Sequence, residues 1–340
     1  MRSRLLLLSL AADLTWALNP LQKLLVEGEL KRRPEWVDGG VQQAAPRVWR
    51  WVAADDDVVL ALPELSGPET RRLTASLESA GALVDAGATR RISTLTKHRA
   101  LAPSPFINEP AAAECKRRTE AFVERVLVGL RQCPFTASKD KAGVGLEEMG
   151  VRGAPILYAH SRCTTSSQLV SDVWRTLDMF LAGGEAVYSS VLLTAPAFDD
   201  DVEKWIEKVF PLLEEALVAA QLSRDVGIVC FHPDYRTPDG AWLATHRFGH
   251  MYAPSTLRSY CADAGAGDLA DLADDDFFYY GSYMRRAPHA TINVLWSRQL
   301  KAAEAKRESA QFYARNLRRL KSEGRGALEA AAAAERTVSL

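Results

Sequence analysis

The chain lacks the marks of the best-known nucleotide and hydrolase classes: there is no Walker loop, no Gly-rich dinucleotide fingerprint and no serine-centred elbow. It also lacks an excess of charge of either sign. Forty-two Lys and Arg against 43 Asp and Glu leave a net charge of -1. That gives no field for holding a phosphate backbone over many contacts, so nucleic acid is not expected as a partner. Cysteine is sparse, with Cys115, Cys133, Cys163, Cys230 and Cys261 in 340 residues and neither a CxxC pair nor zinc-finger spacing. A disulfide scaffold is not expected, and an odd number of thiols fits a reducing compartment. The longest apolar stretch is too short to span a bilayer, so no transmembrane segment is expected.

What is present is an ordinary balance of 47% apolar and 25% charged residues, with length for one large domain and a smaller one. Met1-Arg2-Ser3-Arg4 followed by the leucine-rich run Leu5 to Ala12 has the charged and apolar regions of a targeting signal, and Thr15-Trp16-Ala17 offers a cleavage site. Residues 1–33 so resemble the two-part presequences that algae with secondary plastids use for stromal import. An amphipathic first helix over about Leu5 to Leu30 is the alternative, with a cytoplasmic location.

Residues 34–105 read as a small ββα unit. Arg47 to Val52 alternates as one strand, Asp55-Asp56-Asp57 turns, and Val58 to Leu62 forms a second. Ser66-Gly67-Pro68-Glu69 has capping-box spacing and opens a helix through Leu73, Leu77 and Leu83. Leu101-Ala102-Pro103-Ser104-Pro105 is the expected linker.

The main domain, residues 106–300, starts with a helix over Pro110 to Arg131. A strand at Ile156 to His160, a helix through Leu169 to Leu181, a strand at Val187 to Thr194, a helix from Asp199 to Leu222 bent at Pro211, and a strand at Val226 to Phe231 follow. This order predicts an α/β or α+β fold, a mixed sheet with helices packed on it. Residues 301–340 are expected to be helical, with a basic amphipathic helix from Arg298 to Leu320 that could meet a protein partner.

Two islands concentrate chemistry: Phe231-His232-Pro233-Asp234-Tyr235 after an apolar run, and Tyr283-Met284-Arg285-Arg286-Ala287-Pro288. His232 at a strand end titrates near neutrality and is the candidate general acid/base, or else a histidine hydrogen-bonded to a loop carbonyl. Tyr235 and Asp234 could orient substrate, although Asp-Tyr is also turn chemistry. Arg286, and less strongly Arg285, present planar forks suited to a small anion, or else pair with Asp274-Asp275-Asp276. Cys133 follows a helix C-terminus, which favours packing over nucleophilic use; Cys-Pro is also the core of heme-responsive motifs. His246 and His250, four apart, could ligate a metal, but Gly249 between them argues for a loop, and no metal site is expected. No cofactor is specified by these residues.

With Cys133-Pro134-Phe135 and the two islands in that order, residues 110 to 300 resemble a family known as domain of unknown function 1415. Its pattern is Cys-Pro-Phe, then Phe-His-Pro-x-Tyr, then Asn-Arg-x-Pro followed by a His-Leu-Leu-Arg-Glu run. The resemblance implies that Cys133, His232, Tyr235, Arg286 and Pro288 are the positions to examine; it brings no activity with it. Arg285 stands where the family has Asn, Asn293 where it has His, and Trp296-Ser297 where it has Arg-Glu. Two functions follow as expectations. One is an enzyme with His232, Tyr235 and Arg286 catalytic and Asp234, Arg285 and Cys133 binding a small anionic molecule. The other is a non-catalytic binding or assembly factor in the plastid (chloroplast) of an alga. The first requires His232 and Arg286 to line one hollow.

Overall fold

Two sheets form, one in each of the units into which the chain divides, residues 1–101 and 102–340. The structure is a computed structural model that describes residues 34–37, 44, 47–48, 51, 59–79, 83–89, 92–99, 110–219, 222–237, 252–305 and 309–337. The expected presequence, the linker at 101–105, and His246 and His250 lie outside these residues.

In the first unit, β1 (Pro34–Trp36) pairs parallel with β2 (Val59–Leu62), which pairs antiparallel with β4 (Ile92–Arg99), itself antiparallel to β3 (Leu83–Thr89). The intervening helix α1 (Gly67–Ser79) has the reciprocal cap its sequence predicts. The Ser66 amide donates to the Glu69 carboxylate at 2.9 Å, and the Glu69 amide donates to the Ser66 hydroxyl at 3.4 Å. Two expectations fail here. Leu83 starts β3 instead of extending the helix. The segment expected as a strand over Arg47 to Val52 is helical at Arg47, Val48 and Trp51. Ala44, Val48 and Trp51 are buried while Arg47 is exposed, so the apolar residues obey an i, i+4, i+7 spacing, and that period prevailed over the alternation.

The second unit holds a six-stranded mixed sheet. Its strands are β5 (Thr136–Ser138), β6 (Lys141–Ala142), β7 (Ala154–His160), β8 (Ser190–Thr194), β9 (Val226–Phe231) and β10 (Thr291–Trp296), in the order β5-β6-β7-β8-β10-β9. β7 and β8 run parallel, and β10 runs antiparallel between β8 and β9. This is the α/β architecture expected, a mixed sheet with helices packed on it.

The crossover from β7 to β8 is α3 (Ser166–Gly183), capped by the Thr165 hydroxyl and ended at Gly184, whose φ of 70° suits glycine. Leu169, Val170, Val173, Trp174, Leu177 and Phe180 face the core, each burial contributing about 1.5–3 kcal/mol. Trp296 of β10 stacks on Phe180 at 4.3 Å. The next helix, α4, starts at Val202–Lys204, passes through a π-helical stretch at Trp205–Val209 and continues over Phe210–Ala219. The rearranged ladder immediately precedes Pro211, which has no N–H to donate.

On the other face of the sheet lies α2 (Pro110–Phe122), which continues in π-helical turns over Val123–Gly129. Phe122, Val123 and Val126 pack on Leu192, Phe231, Ile156 and Tyr158. The remaining helices are α5 (Pro254–Asp263), α6 (Asp274–Tyr283), α7 (Ser297–Ala305), α8 (Ser309–Glu323) and α9 (Arg325–Arg336). Leu257, Phe277 and Tyr283 form one core cluster with Leu317, Leu320 and Leu328, so the basic C-terminal region is an integral wall of the unit. No helix among the described residues is long and apolar enough to cross a membrane.

Candidate functional site

The α2 face of the sheet is not fully covered. Where α2 ends, the chain turns through Cys133-Pro134-Phe135, and a pocket of about 250 Å³ opens between this turn, the sheet and the C-terminal helices. Its floor is Ile156, Leu192, Val229 and Phe231, and Leu127, Phe135, Tyr252, Leu257, Phe312 and Tyr313 wall it. Gly143, at φ 78°, brings backbone against Gln299, whose Nε2 would lie 3.0 Å from any Cβ placed there.

Polar atoms in this apolar lining are poorly served. Tyr235 is 1% exposed and its hydroxyl has no well-formed hydrogen bond. Asn293 Oδ1, Gln299 Nε2 and Gln132 Oε1 likewise find no partner within the protein. The cost of each such atom is about 1–3 kcal/mol if neither water nor a ligand binds it, so these atoms favour polar groups inside the pocket. Arg285 also lines the pocket, donating to the Cys230 carbonyl at 3.4 Å with its guanidinium 5.9 Å from the Tyr235 ring centre. Burial pushes the Cys133 thiol and the Tyr235 phenol up, so neither supplies an ionised oxygen or sulfur near neutral pH.

Of the six candidate residues, then, Cys133, Tyr235 and Arg285 share this pocket; His232, Asp234 and Arg286 do not line it. His232 follows Phe231 and faces away from it, fully buried beside Trp205 at 6.3 Å between rings. Its Nε2 donates to the Phe198 carbonyl at 2.9 Å, and its Nδ1 accepts the Asp234 amide at 3.0 Å. Both ring nitrogens are thereby committed to backbone, and burial, partly offset by the Phe198 carbonyl, lowers the pKa below its ordinary 6.5. Arg286 donates to the Tyr235 carbonyl at 3.2 Å, pairs with Glu329 at 2.7 Å and lies 5.0 Å over the Tyr279 ring. Asp234 is exposed and meets Arg336 at 3.3 Å. The acidic run considered as a partner for Arg285 and Arg286 is engaged elsewhere: Asp274 pairs with Arg258, and Asp275 and Asp276 pair with Arg325.

A second cleft, of about 330 Å³, opens at the other end of α2, where β7 and β8 finish. Cys115, His160, Arg162 and His289 line it. None of these side chains was singled out from the sequence. A histidine closing a parallel strand was a usable signal for His160, and His289 directly follows the Arg285-to-Pro288 island, but nothing local marks Cys115. Among the described residues no group of three or more His, Cys, Asp or Glu is placed to hold a metal ion.

Residues 114–245 match the model of a family described as Protein of unknown function (DUF1415). This bears out the family recognised from the motifs. The DUF1415 match contains Cys133 and the His232 island and ends before Arg285, so the pocket draws on residues inside and beyond it. No curated protein and no solved structure matches the chain.

Proposed function

We propose that the pocket beneath the Cys133 turn binds a small, largely apolar carboxylate, and that its task is to hold the ligand. The observation that carries this reading is the set of orphaned polar atoms on Asn293, Gln299 and Gln132 within one aromatic-lined cavity that also contains the Tyr235 hydroxyl and the Arg285 guanidinium. A guanidinium accepts a carboxylate on paired donors, the amides supply a donor and acceptors beside it, and the aromatic walls take the apolar remainder. Holding is favoured over proton transfer by the hydrogen bonds of His232, both of which go to backbone, and by the burial that keeps the Cys133 thiol and the Tyr235 phenol neutral. Asn293 strengthens the reading, because it puts an untitratable amide in the pocket where the family pattern has histidine.

Native mass spectrometry of the full chain purified from its source tests this directly. A retained acidic small molecule, released on mild activation and missing from Arg285→Gln, is the expected result. A protein that carries nothing, and that takes up no medium-chain or aromatic carboxylate added at millimolar concentration, overturns it.

A further inference from the structure

The second cleft is a different kind of place. Cys115 sits in the second turn of α2, on the side facing the ends of β7 and β8. His289, 5% exposed, is fixed from behind by Asp199, whose two oxygens take the His289 Nδ1–H at 2.8 Å and the Ala290 amide at 2.6 Å. This sets the tautomer: the other nitrogen, Nε2, is buried and has no well-formed hydrogen bond, and His289 lines the same cleft as the Cys115 thiol, near enough for the two groups to shift each other's protonation. Asp199 is in turn held by the Pro196–Phe198 turn, which His232 secures through the Phe198 carbonyl. His160, anchored on Thr194 at 3.2 Å, faces the same thiol from the sheet.

We propose that Cys115, His289 and Asp199 form a second, nucleophilic site, acting on small activated esters or thioesters that enter this cleft. The roles follow from the order of contacts: a sulfur nucleophile, an imidazole facing it, and a carboxylate orienting the imidazole. Burial raises the Cys115 thiol, but the two imidazoles more than offset that and bring it to about 7. Burial also opposes charge on His289, yet Asp199 and the facing thiol raise it to about 9. Between these values the pair is thiolate and imidazolium. The other charged groups around the sulfur are Glu114 and Arg118 on its own helix and Arg162 after β7.

In the first step the Cys115 sulfur forms a bond to the acyl carbon, and the carbonyl electron pair moves onto oxygen. Its return expels the alkoxide or thiolate, which takes the proton from His289 Nε2. Neutral His289 then removes a proton from water as the water oxygen attacks the thioester. The carboxylic acid is released, and the thiolate and imidazolium are restored.

The test uses the full chain with iodoacetamide and p-nitrophenyl acetate, read by peptide mass mapping. Burial pushes Cys163 and Cys230 up to about 12 and raises Cys133 and Cys261, so Cys115 should be alkylated first, with a midpoint near pH 7. Nitrophenolate should appear in a burst of about one equivalent followed by slower turnover, with one acetyl group found on Cys115 in acid-quenched samples. His289→Gln should slow both reactions about a hundredfold at pH 7 and move the alkylation midpoint towards the ordinary thiol value of 9.0. Should that variant fail to fold, Asp199→Asn retains an acceptor for the Ala290 amide and should show the same shift. Alkylation at Cys115 no faster than at the other cysteines, or unchanged in these variants, would overturn the site. Alkylation without an acyl-enzyme would overturn the acyl-transfer assignment.

Discussion

The two ends of α2 cover the same face of one sheet and yet present opposite chemistry. At the C-terminal end, Tyr235, Asn293, Gln299 and Gln132 offer neutral polar atoms to an aromatic hollow. At the N-terminal end, Cys115 and His289 perturb each other's protonation in a cleft where parallel strands finish. On the proposed reading, one scaffold separates holding from reacting. Burial among apolar walls drives groups to their neutral forms, as with Cys133, whereas a carboxylate behind an imidazole, as with Asp199 and His289, keeps a charged pair stable near neutral pH. His232 supports the N-terminal end without lining its cleft, through the turn that carries Asp199.

The largest expected effect in stability breaks that supporting link. His232→Ala removes two backbone hydrogen bonds and leaves a cavity, and should cost about 2–4 kcal/mol, read as a lowered denaturant midpoint. Unchanged stability would return His232 to the list of candidate catalysts. Next, Arg285→Gln should forfeit about 1.5–3 kcal/mol of carboxylate binding while leaving Cys115 alkylation unaltered; a parallel loss at Cys115 would join the two ends into one site. The third effect is a pH dependence. Because the His232 pKa is lowered from its ordinary 6.5, the unfolded chain takes up the proton first as the solution is acidified. Its contribution is fully present above about pH 6.5 and is lost as pH falls below it, so melting curves of the wild type should lose stability there more steeply than those of His232→Gln. The smallest effect sharpens the pocket itself. Tyr235→Phe deletes a buried hydroxyl without a well-formed partner and should leave stability within about 0.5 kcal/mol or raise it slightly, whereas a loss beyond 1–3 kcal/mol would mean that the hydroxyl is already satisfied.

Strands β7, β8 and β9 were legible from their apolar, partly β-branched runs and α3 from its clean stripe over Leu169 to Phe180, whereas β5, β6 and β10 were not read as strands. The first unit was less so: Arg47 to Val52 satisfies two periodicities at once, and only packing chose between them. In the candidate site, local motifs located Cys133, Tyr235 and Arg285, but not the direction in which neighbours point. Adjacent residues on a strand and its exit face opposite sides, so His232 and Phe231 diverge although they share a motif. Asn293 and Gln299 carry no signature in isolation. Cys115, Asp199 and His289 are separated by 84 and 90 residues; the register of β8 with β10 brings Asp199 to His289, and the packing of α2 on the sheet adds Cys115.

The most direct test compares octanoate with octanamide in thermal melts of the full chain and of Arg285→Gln. The account predicts that octanoate raises the wild-type melting temperature progressively with concentration, that octanamide raises it far less, and that Arg285→Gln abolishes the difference. Equal responses to the acid and the amide, or a difference that survives in Arg285→Gln, would contradict the claim that this pocket is built for an anionic ligand.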